Sequence, residues 1–192
     1  MKTWHRIAIA LVAGLVLGGS GAWLRIRQGI NHGQLQNGPW ATALNYGTRG
    51  ADDTTRAAIA LRAILALPST ETVYWNATTD SEGRLLDGNC SYAMTGTALD
   101  ARWWSVTYYD AKGYLVANPA NIWSFSGASL SPLEGFKWRV TISPDKPATG
   151  HWLPSGKGQK FELTLRMYNP GGAFRAAPAK AALPVIKREA CP

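Results

Sequence analysis

The sequence contains few of the residues from which metal and redox sites are built. It has two cysteines, Cys90 and Cys191, and three histidines, His5, His32 and His151. Neither cysteine has a second one at C-x-x-C spacing or a histidine nearby, so the usual zinc-binding motifs are excluded. We therefore predict no metal site and no cofactor.

The sequence also lacks the short motifs of several common chemistries. There is no G-x-S-x-G, no glycine-rich phosphate loop and no H-E-x-x-H. The formal net charge is +8, but four of the positive groups flank a single apolar segment: Lys2, Arg6, Arg25 and Arg27. The rest of the chain has no cluster of basic residues along a helix face, so we predict no nucleic-acid partner.

The only long apolar run without a charge covers residues 7–24. Crossing the hydrocarbon core of a membrane takes ~20 apolar residues, with about 17 at the lower end. Two interpretations remain open. One is an uncleaved transmembrane anchor within residues 1–27, and the other is a cleaved signal peptide with small residues at Ser20, Gly21 and Ala22. We favour the anchor, which makes the membrane a partner of residues 7–24.

The sequence after the apolar segment predicts a linker, or lead-in, followed by a helix. Residues 28–50 are rich in glycine and lack periodicity, which predicts a linker. A helix is predicted from about Asp52, because Asp or Thr can cap its free N–H groups, and Pro68 should end it near Leu67. Its apolar residues share one side: Ala58, Leu61, Ile64 and Leu65. We expect this amphipathic helix to lie on a β-sheet.

Residues 102–118 have the pattern of a β-hairpin. Aromatic and β-branched residues favour strand, and residues 110–113 (Asp-Ala-Lys-Gly) favour a turn. Since strand side chains alternate, one face of the first arm carries Trp104, Val106 and Tyr108. We interpret these rings mainly as core. The alternative is a surface on which a sugar or another flat ligand stacks.

Alternating side chains continue as far as Tyr168 within the domain, which we place at residues 51–192. The clearest apolar sets are Trp138, Val140 and Ile142, and then Phe161, Leu163, Leu165 and Met167. Short strands separated by turns at intervals of roughly 8–12 residues predict an antiparallel β-sandwich or barrel. Proline recurs after Asn169, so we expect the tail to be mostly extended and irregular.

The two cysteines leave two alternatives. A Cys90–Cys191 disulfide would close a long loop, stabilising the fold by about 4–5 kcal/mol in the chain-entropy description. It would also place the domain outside the cytoplasm. The other alternative is two unpaired thiols, one buried and one on a loose tail.

Several segments in order resemble one family, the domain-of-unknown-function family 1214. They include Asn37-Gly38-Pro39-Trp40, Trp104-Ser105-Val106-Thr107-Tyr108-Tyr109-Asp110, His151-Trp152-Leu153-Pro154 and Leu163-Thr164-Leu165-Arg166-Met167-Tyr168-Asn169-Pro170. The resemblance implies a jelly-roll-like sandwich in a bacterial inner-membrane protein with one membrane segment and a periplasmic body. It thereby favours the disulfide. His151 stands where the family is expected to have Asn, and the family has no agreed activity.

Nine tryptophans and seven tyrosines motivate the first functional hypothesis. It is a membrane-tethered periplasmic module that binds a carbohydrate, a lipid or an envelope protein. Its candidate ligand-binding residues are Trp104, Tyr108, Asn118, His151, Trp152 and Arg166. The alternative is a hydrolase-like enzyme whose cleft uses His151, Arg166 and Asp110, which requires these three side chains to converge. A third hypothesis is a purely structural envelope protein.

Overall fold

The computed structural model describes residues 3–29, 34–61 and 65–192. Lys2, His32 and Ile64, to which the sequence analysis assigned roles, lie outside these ranges. The described chain is mainly β. It divides into two units: residues 1–33 with 45–66, and residues 34–44 with 67–192.

The first unit contains two helices, α1 (Thr3–Gly29) and α2 (Asp53–Leu61). Within α1, Thr3–Ile26 is long and apolar enough to cross a membrane, and its most apolar window is wholly exposed. Helix α2 begins as predicted, because the Asp52 carboxylate accepts a hydrogen bond from the Thr55 N–H at 2.7 Å. The predicted end near Leu67 is wrong, since residues 65–68 are not helical. The packing of α2 on a sheet stays a prediction.

The second unit contains two sheets. The six-stranded sheet is antiparallel throughout, with the order β1-β2-β3-β9-β5-β6, and the four-stranded sheet has the order β10-β4-β7-β8, in which only β7 and β8 are parallel. The strands are β1 (Leu35–Asn37), β2 (Trp40–Thr42), β3 (Thr72–Ala77), β4 (Ser91–Gly96), β5 (Ala101–Asp110), β6 (Ser124–Ser126), β7 (Trp138–Ser143), β8 (His151–Pro154), β9 (Phe161–Pro170) and β10 (Val185–Ala190). A short helix, α3 (Gly172–Ala176), follows β9.

The two sheets contribute side chains to one hydrophobic core. Trp104 of β5 stacks on Trp138 of β7, with ring centroids 4.9 Å apart, and Tyr92 of β4 meets Phe161 of β9 edge-on at 5.7 Å. The apolar residues predicted to face inward on these strands are buried: Val106, Tyr108, Val140, Ile142, Leu163, Leu165 and Met167. Alternation along the strands therefore identified the core faces correctly.

The predicted hairpin over residues 102–118 is wrong in its second arm. Its turn forms as expected, because the Asp110 carboxylate accepts hydrogen bonds from the backbone of Lys112 and Tyr114. Residues 114–118 are not a strand, however. Strand β5 pairs along its whole length with β9, and its other edge pairs with β6. The intervening loop is closed by Asn118, whose amide donates to the Ile122 carbonyl at 2.9 Å.

Sequence reasoning missed strands at both ends of the domain. Within the predicted lead-in, β1 and β2 form a hairpin around Gly38, which has a positive φ of 58°. Trp40 then donates from its indole to the Pro184 carbonyl at 2.7 Å. In the tail that we expected to be irregular, β10 pairs with β4. These pairings join distant parts of the chain, so local periodicity does not reveal them.

The Cys90–Cys191 disulfide forms, which confirms the pairing alternative. It lies at the end of the β10–β4 ladder, where Ala190 is paired with Ser91. The antiparallel register therefore brings the residue before β4 beside the residue after β10. Cys90 is fully buried, whereas Cys191 is exposed. The bond fastens the C-terminal strand to the core.

Replacing Cys191 with serine should destabilise the protein strongly. The disulfide spans a sequence separation of 101 residues, for which the chain-entropy description gives about 4.7 kcal/mol. We expect Cys191→Ser to lower the free energy of unfolding by about that amount in urea titrations followed by circular dichroism. Reduced wild-type protein is the matched control. Identical midpoints for the oxidised wild type and Cys191→Ser would show that the bond does not support the fold.

Candidate ligand-binding face

Two of the aromatic residues proposed as ligand-stacking rings are part of the core. Trp104 is 6% exposed and lies against Trp138, and the Tyr108 ring stacks on Phe161 with centroids 4.6 Å apart. The Tyr108 hydroxyl accepts a hydrogen bond from the Gly156 N–H at 2.9 Å. Burial raises the pKa of Tyr108 to about 12. Neither ring is open to a ligand, and the interpretation of both as core residues is the one that the packing supports.

His151 and Trp152 hold the loops around β8. The His151 Nε2 lies 2.9 Å from the Glu134 Oε1, and the Trp152 indole donates to the Ser143 carbonyl at 3.0 Å. Glu134 also accepts hydrogen bonds from the N–H and hydroxyl of Ser131. These bonds, with the one to His151, lower the pKa of Glu134 to about 2, so it is a carboxylate at neutral pH. The cluster therefore attaches β8 to the turn before β7, through Glu134, and to the end of β7, through Ser143.

Among the described residues, the three side chains of the hydrolase hypothesis share no hydrogen-bond partner. His151 contacts Glu134, Asp110 binds the backbone of its own turn, and Arg166 donates to hydroxyls of β5. Catalysis by a histidine base requires the acting groups to be within hydrogen-bond reach of one reacting site. The contacts therefore give no support to a cleft built from these three residues.

Arg166 lies on the face of the six-stranded sheet that is turned away from the core. Its Nη1 donates to the Thr107 Oγ1 at 3.0 Å, and its Nη2 donates to the Tyr109 hydroxyl at 2.9 Å. The Arg166 Cζ also lies 5.5 Å from the centroid of the Tyr109 ring. These contacts follow from the β5–β9 register, which places alternate side chains of the two strands side by side.

The neighbouring row of the same face carries an aromatic pair, in which Trp103 is exposed and Tyr168 is half-buried. Trp103 and Tyr168 are direct register partners, and their ring centroids are 5.3 Å apart at an interplanar angle of 63°. Trp103 is 42% exposed, in contrast to Trp104 beside it. We use the name Arg166 face for the surface formed by Trp103, Thr107, Tyr109, Arg166 and Tyr168.

The Arg166 face combines an apolar plane with a cation that retains free donors. Arginine has five N–H groups, and the hydrogen bonds to Thr107 and Tyr109 use two of them. No carboxylate is among the described partners of Arg166. The guanidinium can therefore donate to a carboxylate or a set of hydroxyls, while the Trp103 ring offers a surface for stacking.

For metal ions, the described ranges contain no group of three or more His, Cys, Asp or Glu side chains close enough to hold one. The expectation of no cofactor stays a prediction.

Of the Arg166 face, the sequence analysis had named only Arg166 as a candidate. The alternation that places Trp104 on the inner face of β5 places Trp103 and Tyr109 on the opposite face, but no signal in one sequence pairs them with β9. The one indication of an accessible face in the sequence is that polar residues recur at alternate positions along β5 and β9. The pairing of Trp103 with Tyr168 depends on a register that joins residues far apart in the chain.

The fold is that of a mainly β domain with two sheets, accompanied by an apolar N-terminal helix. Residues 71–172 match the family described as "Protein of unknown function (DUF1214)", and the chain belongs to this family. No curated protein matches the sequence.

Two crystal structures are similar to the chain. The VPA0106 protein from Vibrio parahaemolyticus has a TM-score of 0.61 and 24% identity, over 75% of this chain and 38% of that one. An uncharacterized protein from Burkholderia cenocepacia has a TM-score of 0.46 and 12% identity, over 62% of this chain and 29% of that one. The chain therefore spans well under half the length of either protein. The likeness to the Vibrio protein concerns the fold alone.

Trp103 and Trp104 are adjacent on β5, so replacing each in turn distinguishes the outer face of the six-stranded sheet from its core face. We expect Trp104→Ala to lower the free energy of unfolding by ~3–5 kcal/mol, because it leaves a cavity in the core. Trp103→Ala should cost about 1 kcal/mol or less, since the ring is partly exposed and packs edge-on against Tyr168 at the surface of the sheet. Urea unfolding of the two variants measures both values. Equal losses would contradict the assignment of the two rings to opposite faces.

Proposed function

We propose that the protein is a single-pass inner-membrane protein whose body lies in the periplasm. The exposed apolar surface of Thr3–Ile26 supports the anchor, because such a helix is stable in a lipid environment. The Cys90–Cys191 bond supports an oxidising compartment for the body. The core shared by the two sheets supports a jelly-roll-like sandwich as the architecture of that body.

Protease protection tests this topology directly. In spheroplasts of a Gram-negative host, we expect trypsin to digest the body and leave an α1 fragment in the membrane. In inverted inner-membrane vesicles the body should be protected. Mass spectrometry of the purified protein should find the sequence before Ala22 still attached. A protected body in intact spheroplasts, or a mature N-terminus after Ala22, would contradict the proposal.

The proposed activity of the body is to bind an acidic carbohydrate on the Arg166 face. The observation that carries this proposal is the exposed Trp103 ring, held edge-on to Tyr168 in the row beside Arg166. A sugar ring would stack on the indole, and its carboxylate would accept hydrogen bonds from the guanidinium. Thr107 and Tyr109 already orient that guanidinium, so little side-chain freedom is lost on binding.

A carbohydrate fits this face better than an acyl chain does. Ser105, Thr107 and Thr164 are buried, so the polar group that this face offers a ligand beside its aromatic rings is the Arg166 guanidinium. An acyl chain would offer no acceptor to the remaining N–H groups of Arg166, and covering them without a partner would be unfavourable. A charged or hydroxyl-rich sugar satisfies both parts of the face.

Isothermal titration calorimetry with defined fragments tests the binding. A peptidoglycan fragment containing N-acetylmuramic acid is the acidic probe, and chitobiose is the neutral one. We expect the acidic fragment to bind more tightly, and Trp103→Ala and Arg166→Gln each to weaken its binding about ten-fold. Tyr114→Ala and Arg175→Gln are the matched controls, since both residues are exposed elsewhere on the domain. Binding that is equal in Trp103→Ala and Tyr114→Ala would exclude the Arg166 face.

A further inference from the structure

A concave site lies in the same unit, at the edge of the core beside α3. It is a cavity of about 240 Å³. Leu99, Met167 and Phe174, which are all buried, contribute its apolar side, and its two charged lining residues are Asp100 and Lys180. None of the residues of the Arg166 face lines it. The cavity is therefore separate from the proposed carbohydrate site.

The cavity exists because most of its remaining wall consists of alanine. A methyl group is too small to fill the space between α3, the following turn and the segment after β4, and this space is open to solvent on one side, because four of the five alanines are exposed. The alanines that line the cavity are Ala98, Ala173, Ala177, Ala181 and Ala182. The wall is thus apolar and leaves room for a ligand.

The backbone of this wall is held in place by β1 and β2. The Asn37 side-chain amide donates to the Ala181 carbonyl at 2.8 Å, and the Trp40 indole donates to the Pro184 carbonyl at 2.7 Å. Both bonds join residues far apart in sequence, and the second is buried. A cavity with a wall fixed in this way is preformed, as small-molecule sites usually are.

The two charged groups at the cavity have different roles. The Asp100 Oδ2 accepts a hydrogen bond from the Phe174 N–H at 2.8 Å, and the carboxyl group lies against Gly171. Asp100 therefore holds the start of α3. Lys180 is exposed, and its ammonium group has no side-chain or backbone acceptor among the described residues. The cavity thus offers an apolar wall that is open to solvent on one side, with one available cation at Lys180.

We propose that this cavity binds a free short-chain alkanoate. The alkyl chain would occupy the alanine-lined space, and the carboxylate would pair with Lys180. At about 30 Å³ for each water-sized group, the cavity volume accommodates about eight such groups. A chain of about six to eight carbons fits this space, whereas most of the acyl chain of a membrane lipid would lie outside it.

Photolabelling of the full chain in native membranes tests the proposal. A diazirine derivative of octanoate is the probe, and octanoate, palmitate and octanol are the competitors. We expect labelling to map to the cavity residues around Leu99 and Phe174, to saturate, and to be displaced best by octanoate. Displacement by palmitate as effective as that by octanoate would overturn the choice of a free short-chain ligand.

Two pairs of variants separate cavity binding from partition into the membrane. Ala173→Leu fills the cavity, whereas Ala176→Leu makes the same change on α3 at a position that does not line it. We expect the first to reduce labelling at least about ten-fold and the second to leave it unchanged. Lys180→Gln should weaken competition by octanoate about five-fold but leave that by octanol unchanged, while Lys187→Gln alters neither.

Two further results would each overturn part of this proposal. Labelling confined to α1, or equal in Ala173→Leu and Ala176→Leu, would overturn the cavity as the binding site. An equal response of octanoate and octanol to Lys180→Gln would overturn the role of the cation. Circular dichroism and the intact disulfide report whether Ala173→Leu is folded, and Lys180→Gln provides an independent result if it is not. Failure of carbohydrate binding at Trp103 would leave all these results unaffected.

Discussion

The pairing of β5 with β9 is the interaction on which the rest of the domain depends. These two strands, Ala101–Asp110 and Phe161–Pro170, run antiparallel along their full length in the middle of the six-stranded sheet. A shift of one residue would exchange their faces and expose a full set of apolar side chains. The register therefore decides at once which side chains build the core and which form the Arg166 face.

The C-terminal segment closes the domain through a small number of long-range contacts. Strand β10 adds to β4, and the Cys90–Cys191 bond fixes the end of that ladder. Upstream of β10, side chains of β1 and β2 hold the backbone at Ala181 and Pro184. The same contacts that cover the core therefore shape the alanine-lined cavity.

The two proposed sites differ in the physical basis of their specificity. The Arg166 face is a partly buried surface with one exposed ring, Trp103, in the row next to a guanidinium that is held by two hydroxyls. Its selectivity would come from charge and stacking. The cavity beside α3 is small and apolar, so it would select ligands by the length of their apolar chain. Lys180 would favour a ligand with a negative charge.

Much of the fold could be predicted from the sequence because alternation is a local property. The inward sets on β5, β7 and β9 and the turn at Asp110 were all predicted, and they are observed. The candidate site was predicted less well. Trp104 and Tyr108 were singled out as large aromatic residues, but Trp103 is the ring that remains accessible. The exposure of a side chain on β5 depends on whether the four-stranded sheet covers it, and the sequence of one strand does not show which of its faces is covered.

The sequence by itself determined the apolar helix, the strand-rich body and the inward-facing residues, since each is encoded by neighbouring residues through hydrophobic pattern and turn chemistry. Only the tertiary structure decided the partners of β5, the ladder of β10, the place of Arg166 beside Trp103 and the existence of the cavity. These features arise from contacts between residues far apart in the chain, where packing and register select one arrangement among many that the local pattern allows.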